Sequence, residues 1–245
     1  MNFSHILFKS PEQATGSRIG LLGGGGKTSL LFQLGAELAH FHPKVLMSAI
    51  TKAGATPKFN LQVAEKPLEE QINNWFVHEN PLYLLGRKLG PEKYQGLTPN
   101  HLKSVLATAS VCIFEADGAR NRPFKVHTKT DPVLPPWTTH VIIVIGAEVV
   151  DSPLNEKTVH RSELFSQRWQ LPLESLLTPQ IIAGILVQPE GYLSRIKHPV
   201  KLVYFINKTD EYRKQALQLV KVLKRQTTNP VLFGSVNKGW WEAVA

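Results

Sequence analysis

Cysteine is nearly absent from this chain of 245 residues, in which Cys112 stands alone. One thiol cannot form an internal disulfide, and it leaves a zinc-type site short of thiolate ligands. Long hydrophobic runs are also missing, because the longest apolar stretch, Val141–Ala147, is far too short to cross a bilayer. The N-terminus lacks both the positive cluster and the small-residue cleavage site of a secretory signal. We therefore expect a cytoplasmic protein in a reducing compartment, with no membrane partner.

Negative charge is the scarcer sign, with 19 Asp and Glu against 28 Lys and Arg, which gives a formal net charge of +9. An excess of positive charge attracts anions such as nucleotides, acidic partners or nucleic acid. The basic residues are nevertheless spread along the chain, with no run of five or six that would form a nucleic-acid-binding arm. The balance therefore favours an anionic ligand, and nucleic acid is not the expected one.

The order of apolar segments indicates an α/β fold. Short buried strands alternate with amphipathic helices, which is typical of a mostly parallel sheet covered on both faces. We predict a three-layer α/β fold with a mostly parallel sheet, in which residues 1–245 form a single domain and the first 17 residues are peripheral. The predicted strands are Arg18–Leu22, Lys44–Ile50, Leu82–Leu85, Val111–Phe114, His140–Ile145, Lys201–Ile206 and Val231–Val236. The predicted helices are Ser29–His40, Pro67–Asn80, His101–Ala109, Ile181–Val187 and Asp210–Arg225.

A glycine-rich turn joins the first of these strands to the first helix. It reads Gly23-Gly24-Gly25-Gly26-Lys27-Thr28-Ser29. Consecutive glycines let backbone N–H groups point at phosphate oxygens, and the following helix N-terminus favours an anion. Lys27 would neutralise the β and γ phosphates, and the Thr28 hydroxyl would bind Mg²⁺. The loop is a variant, because the P-loop pattern places a further glycine at the position that Leu21 occupies; a flexible glycine-rich turn is the simpler alternative.

Two acids follow the strand Val111–Phe114. Glu115 and Asp117 are two residues apart, and therefore lie on the same side of an extended chain. In P-loop enzymes an acid at this place holds Mg²⁺ directly or through water, and Gly118 would let the backbone approach the γ-phosphate. The spacing does not decide which carboxylate has which role, and an ordinary turn after a strand would also contain such residues.

The tetrapeptide Asn207-Lys208-Thr209-Asp210 follows another apolar strand. It resembles the Asn-Lys-x-Asp motif by which GTPases recognise guanine. One ionised carboxylate, here Asp210, would accept hydrogen bonds from the two N–H donors on the guanine edge, whereas adenine presents an acceptor there. Lys208 would lay its aliphatic stem along the base. The pattern favours GTP over ATP, although Asp210 would also serve as an ordinary helix N-cap.

A basic cluster comes directly after the two acids, and a His-Arg pair follows further along the chain. The residues are Arg120, Arg122, Lys125 and His127, and then His160 and Arg161. Any of the arginines would suit a phosphate or a developing negative charge. A solvated basic loop is the alternative.

Several segments together resemble the selenium-dependent hydroxylase accessory protein family (YqeC-like). They are GGGGKT (23–28), EADGARNRPFKVH (115–127), DPVLPPWTTHVIIVIGAEVV (131–150), PLNEKTVHR (153–161) and NKTD (207–210). The resemblance implies a P-loop NTPase associated with maturation or cofactor supply of molybdenum-containing hydroxylases. It also implies nucleotide contacts at 23–28 and 207–210, and it places the two acids and the basic residues of 120–127 and 160–161 in or near the site.

We therefore predict Mg²⁺-dependent binding and slow hydrolysis of a nucleoside triphosphate, GTP in preference to ATP. Lys27, Asp117 and Arg120 are the predicted catalytic residues, and Thr28 with Glu115 and Asp117 the predicted metal ligands. A molybdenum hydroxylase apo-enzyme or a cofactor-supply protein is the expected partner. The alternatives are a P-loop kinase or other phosphotransferase acting on a small molecule, and a nucleotide-gated chaperone without catalysis.

Overall fold

The structure, a computed structural model, describes residues 3–64 and 68–244. Within these ranges the α-helices are Ser4–Leu7 (α1), Lys27–Ala39 (α2), Leu68–His78 (α3), Pro99–Val105 (α4), Ser162–Trp169 (α5), Pro179–Val187 (α6) and Arg213–Lys224 (α7). The strands are Arg18–Gly23 (β1), Val45–Ala49 (β2), Ala53–Gly54 (β3), Leu61–Val63 (β4), Leu82–Leu85 (β5), Lys88–Gly90 (β6), Lys93–Tyr94 (β7), Val111–Glu115 (β8), Phe124–Lys125 (β9), His140–Gly146 (β10), Val159–His160 (β11), Lys201–Asn207 (β12), Val231–Ser235 (β13) and Trp240–Ala243 (β14).

A nine-stranded sheet forms the centre of the described chain, in the order β14-β13-β12-β10-β1-β8-β2-β5-β4. Every pairing in it is parallel except that of β13 with the edge strand β14. The chain builds one half of the sheet from β2 to β8, and then crosses to the other side of β1 to add β10, β12 and β13. Ligands in such sheets bind at the carboxyl ends of the strands where the direction changes, which here is between β1 and β10.

Alternating side chains of the strands serve two separate cores, one on each face of the sheet. Leu21 packs with the buried leucines of α2, whereas its neighbour Leu22 belongs to the opposite core, to which α3 to α7 contribute. The predicted three-layer α/β fold with a mostly parallel sheet is therefore confirmed.

The N-terminal segment, expected to be peripheral, contributes to the α2-side core. Phe3 is fully buried, and its ring packs edge-on against Phe205 at 5.0 Å and Trp241 at 5.2 Å between centroids. These contacts join the start of the described chain to β12 and to the edge strand β14.

The predicted elements differ from the observed ones along the whole described chain. α7 begins at Arg213 and its N-cap is Tyr212, so the prediction that a helix starts at Asp210 is wrong. The helix predicted over His101–Ala109 is observed over Pro99–Val105. The sequence did not predict α1, α5 or the strands β3, β4, β6, β7, β9, β11 and β14, and Pro67 of the predicted helix Pro67–Asn80 lies outside the described residues. Among the helices in the described ranges, none combines the length and the apolar character needed to traverse a bilayer.

Candidate nucleotide site

The glycine-rich loop lies at the point of the sheet where ligands are expected. It leaves the carboxyl end of β1, crosses towards β10 and enters α2 at Lys27. The Gly24 N–H donates to the carbonyl of Val144 (3.0 Å), and the Gly25 N–H donates to the carbonyl of Arg122 (2.9 Å). These bonds fix the curl of the loop to its neighbours on both sides.

Glycine is required here for two reasons, conformation and close approach. Gly25 has φ of 72° and Gly26 has φ of 121°, a region that side chains other than glycine rarely adopt. A Cβ on Gly25 would collide with the backbone of Gly146, and a Cβ on Gly26 would collide with the amide of Asn207. The loop is therefore a packed structure and not a freely flexible turn.

Lys27 lies at the start of α2 with its side chain drawn back beneath the loop. Its Nζ donates to the carbonyl of Gly23 (2.5 Å) and lies 3.0 Å from Asp117 Oδ1. Only 5% of the side chain is exposed. The ammonium is thus held within the curl of the loop by two acceptors of the protein itself.

Asp117 is the electrostatic centre of this region. The fully buried carboxylate accepts from the Gly23 N–H (2.9 Å) and from His127 Nε2 (2.6 Å), and it lies 3.0 Å from Lys27 Nζ and 3.5 Å from Lys125 Nζ. Burial by itself would raise the pKa of Asp117, but Lys27, the hydrogen bond from His127 and the charge of Lys125 together hold it far below the ordinary carboxyl range. Because Asp117 is ionised, His127 must donate, which assigns a proton to its Nε2.

Glu115 is placed differently although it comes only two residues earlier. Its Oε1 accepts a 2.6 Å hydrogen bond from the Thr28 hydroxyl, and both residues line the open cleft beside the loop. Burial raises the pKa of Glu115, while Lys27 and the Thr28 hydroxyl act in the opposite direction. Thr28 and Glu115 thus form a pair of oxygen donors facing the cleft, whereas the oxygens of Asp117 are already engaged by protein donors. The Gly23–Thr28 loop with Glu115 and Asp117 is called the phosphate end below.

Oxygen donors of this kind suit Mg²⁺, which binds one or two protein oxygens and takes its other ligands from phosphates and water. The Thr28 and Glu115 oxygens fit that requirement. No group of three or more His, Cys, Asp or Glu side chains in the described ranges is arranged to hold a metal ion by itself.

The cleft has a volume of about 830 Å³ and extends well past the loop. Its near side is the loop and the first turn of α2; its other sides come from segments that are distant in sequence. These other lining residues include Thr51, Lys52, Glu92, Lys93, Arg120, Arg122, Asp131, His160 and Arg161. The predicted basic residues thus converge with the loop on one concave surface, although Lys125 and His127 lie buried behind it.

The segment Asn207–Asp210, called the base end below, is held to the phosphate end by Asn207. Its Nδ2 donates to the carbonyl of Gly25 (2.8 Å), and its Oδ1 accepts from the Val236 N–H (3.0 Å). Lys208 forms an ion pair with Glu148, and Asp210 is exposed, without a hydrogen bond to any described residue. Lys208 and Asp210 do not line the cleft.

Comparison with known proteins identifies the family to which this chain belongs. The YqeC protein family model matches residues 19–163, which is more than half of the chain. The chain belongs to the YqeC family. A relative from Escherichia coli (strain K12), described as the uncharacterized protein YqeC, is 23% identical over 237 residues, covering 90% of this chain and 88% of the relative. No solved structure matches the chain.

The region matched to the YqeC family contains the whole phosphate end. It also contains the basic loop after Asp117 and ends just beyond Arg161. The base end, 207–210, lies outside it. The family resemblance inferred from the sequence is therefore confirmed; the family model covers the phosphate end and the basic walls of the cleft, whereas the alignment with the Escherichia coli relative spans 90% of the chain.

The sequence did not single out Asp131, although it organises the second buried charge cluster of this YqeC-family chain. Lys125 Nζ lies 2.5 Å from Asp131 Oδ2, and Arg161 Nη1 contacts both carboxylate oxygens at 2.9 and 3.0 Å. The Thr128 N–H and hydroxyl complete the set, so the pKa of Asp131 lies well below its usual range despite the opposing effect of burial. In the sequence, Asp131 is distinguished only by its position directly before Pro132, which is a weak indication of a functional residue.

Proposed function

We propose that this protein binds a nucleoside triphosphate with Mg²⁺ at the phosphate end and hydrolyses it slowly. The observation that carries the proposal is the combination of the glycine loop, the buried Lys27 and the Thr28–Glu115 pair at one edge of the sheet. Backbone N–H groups at the start of α2 and the ammonium of Lys27 supply the positive field that a polyphosphate needs.

Each residue of the phosphate end then has a distinct role. Lys27 would exchange its bond to the Gly23 carbonyl for a phosphate oxygen, a stronger acceptor because it is charged. Thr28 and Glu115 would hold Mg²⁺, which when bound neutralises charge on the phosphates. Asp117 would keep Lys27 aimed at the loop, and Arg120, exposed at the cleft, would approach the transferred phosphoryl group. Slow turnover would follow because Asp117 is engaged by protein donors and Glu115 would hold Mg²⁺, which leaves neither acid beside the loop free to orient water.

The preference for GTP rests on Asp210. Its exposed carboxylate, without a described hydrogen-bond partner, is available to accept from the guanine edge. The neighbouring Asn207 ties this segment to the loop that would hold the phosphates, so that base and phosphate contacts would be coupled.

The biological role that we propose is that of an accessory factor in maturation of molybdenum-containing hydroxylases. This role is supported by the resemblance of the sequence to the selenium-dependent hydroxylase accessory proteins, and the partner would be the hydroxylase apo-enzyme or a protein that supplies its cofactor. Capture of such a partner that depends on nucleotide would support it.

Calorimetric titration of Mg·GTP and Mg·ATP into wild type and Asp210→Ala tests the nucleotide proposal. We expect GTP to bind at least about tenfold more tightly than ATP, and the substitution to remove that difference. Glu211→Ala removes the adjacent exposed acid and is the matched control. Equal binding of both nucleotides, indifferent to Asp210, would contradict the guanine preference, and no binding of either would contradict the function.

A phosphotransferase is the second candidate, because the cleft continues beyond the phosphate end towards Arg120, His160 and Arg161. Product analysis separates the two functions. An NTPase releases free phosphate, whereas a kinase transfers the labelled γ-phosphoryl group to an acceptor.

A further inference from the structure

Three residues from outside the loop, Arg120, His160 and Arg161, line the same cleft and are called the far wall below. Arg161 is the most constrained of the three. All of its described polar contacts use Nη1, which donates to the carbonyl of Val126 (2.9 Å) and to both oxygens of Asp131. The Nη2 and Nε groups have no partner among the described residues, and 31% of the side chain is exposed. Nη1 is therefore held by Val126 and Asp131, whereas Nε and Nη2 remain available to a ligand in the cleft that Arg161 lines.

α5 begins directly after Arg161, but its first residues, Ser162 and Glu163, line a different pocket, and Glu163 places an acid in its first turn. Arg161 is its N-cap residue, and no side chain caps the helix. The first N–H groups of an α-helix have no partner within the helix and carry partial positive charge. Arg161 itself has φ of 70°, a left-handed conformation that costs free energy for a residue with a side chain. The fold thus maintains an unfavourable backbone conformation where a cation and an uncapped helix start meet.

His160 adds a neutral donor and acceptor to this wall. It lines the cleft, and its side chain has no hydrogen bond to a described residue. Burial first, and then Arg161, Lys125 and Arg120, lower the pKa of His160 to about 4. The imidazole is therefore uncharged at neutral pH. The positive charges that act on it belong to Arg161, Lys125 and Arg120, and the acid that acts on it, Asp131, is already paired with Lys125 and Arg161.

Arg120 completes the far wall from another segment. It is exposed, lines the cleft and has φ of 49°, and Asn121 beside it has φ of 60°. Two consecutive non-glycine residues in the left-handed region are a further local strain. Lys52 and Lys93, also exposed, add positive charge at the open side, against the single exposed acid Glu92.

We infer that the far wall is a second anion subsite, which binds the phosphate group of a small molecule other than the nucleoside triphosphate. A guanidinium with two nitrogens that make no hydrogen bond to a described residue, beside an imidazole in the same state, is a suitable receptor for a phosphate, since it presents N–H donors in a fixed direction. The cleft volume is near the upper end of the range for small-molecule sites, which leaves room beyond the phosphate end. The inference rests on the proposed function in assigning the loop and Arg120 to the triphosphate, so that Arg161 and His160 are the residues that would hold the second phosphate.

Inorganic phosphate is the probe that tests this subsite, titrated at constant ionic strength and followed by calorimetry and phosphorus NMR. Wild type is expected to bind phosphate at two sites, and Lys27→Ala to lose only the one at the loop. Arg161→Gln and His160→Ala, each combined with Lys27→Ala, are expected to weaken the remaining site at least about tenfold, the loss expected for a charge-assisted contact. Arg168→Gln, an exposed arginine at the other end of α5, is the matched control and is expected to change nothing.

The outcomes separate the subsite from the nucleotide proposal. If Lys27→Ala abolishes all binding of phosphate, or if the far-wall substitutions leave the remaining site unchanged, the second subsite is wrong. If phosphate still binds at the far wall but no nucleotide binds wild type, the subsite stands and the proposed function fails. His160→Ala keeps the test valid if Arg161→Gln disturbs Asp131 and unfolds the protein, because the His160 side chain makes no described hydrogen bond.

Discussion

At the phosphate end Asp117 is fully buried among four donors, whereas at the base end Asp210 is exposed and has no hydrogen bond to a described residue. Both are single carboxylates that follow a strand of the same sheet. The first is held in place before any ligand arrives, and its removal would affect the fold itself. The second contributes nothing to packing, so its role would appear only when a base is present. Under the proposed function, the difference would separate a residue that builds the site from a residue that selects the ligand.

The largest effect is expected from Asp117→Ala. The substitution leaves the buried ammonium of Lys27 without its carboxylate and the Gly23 N–H without its acceptor, whereas Lys125 keeps its ion pair with Asp131. We expect a loss of about 3–5 kcal/mol in the free energy of unfolding, as found when one partner of a buried ion pair is removed. Urea denaturation measures this loss. Asp210→Ala is the matched control, and equal stability of the two variants would contradict the contrast between the ends.

Asn207 joins the two ends, so Asn207→Ala should affect both. Its removal leaves the Gly25 carbonyl and the Val236 N–H without their partner, which is expected to cost about 1–3 kcal/mol of stability. Because the loop loses an anchor, GTP and ATP should both bind more weakly and by a similar factor. Thermal unfolding and nucleotide titration test this, with the exposed Asn74→Ala as control. A loss confined to GTP would show that Asn207 reads the base.

Asp210→Ala is expected to change stability by less than about 0.5 kcal/mol, the usual range for a surface substitution. Only the ratio of GTP to ATP affinity should change. Denaturation and titration of the same preparation measure the two quantities. A marked loss of stability would mean that Asp210 has a structural role like that of Asp117.

The smallest effect concerns His140 at the amino end of β10, remote from both ends of the site. Burial first, and then Lys201, lower its pKa to about 4 in the folded protein, against about 6.5 in an unfolded chain. The unfolded chain therefore binds the proton first, so this contribution to stability is complete above about pH 6.5 and is lost as the pH falls towards 4. His140→Gln should reduce the decline in melting temperature between pH 7 and 5, with or without nucleotide. An unchanged decline would contradict the assignment.

The sequence predicted the sheet better than the site. Strands β1, β8, β10 and β12 are short apolar runs, which are visible without knowledge of their neighbours. β14 was missed because two tryptophans at an edge strand do not show the alternation of a longer strand, and α5 was missed because an eight-residue helix gives only two turns of periodicity.

Within the site, the residues of the loop and the two acids were predicted from local patterns. The different contacts of Glu115 and Asp117 were not predictable from their spacing. They depend on His127 and Lys125, which lie in or just after strand β9 and contact Asp117 in the folded chain. The clamp on Arg161 depends in the same way on Asp131, 30 residues earlier in the chain. Such contacts have no sequence period, and only the folded chain shows them.

Titration of Mg·GTP into wild type and Lys27→Ala tests most directly whether the phosphate end holds a triphosphate. The exposed Lys103→Ala on α4 is the matched control for the loss of one positive charge. We expect saturable binding by wild type and Lys103→Ala, and affinity at least about tenfold lower for a folded Lys27→Ala. Binding that is equal in all three proteins, or absent from wild type, would contradict that expectation.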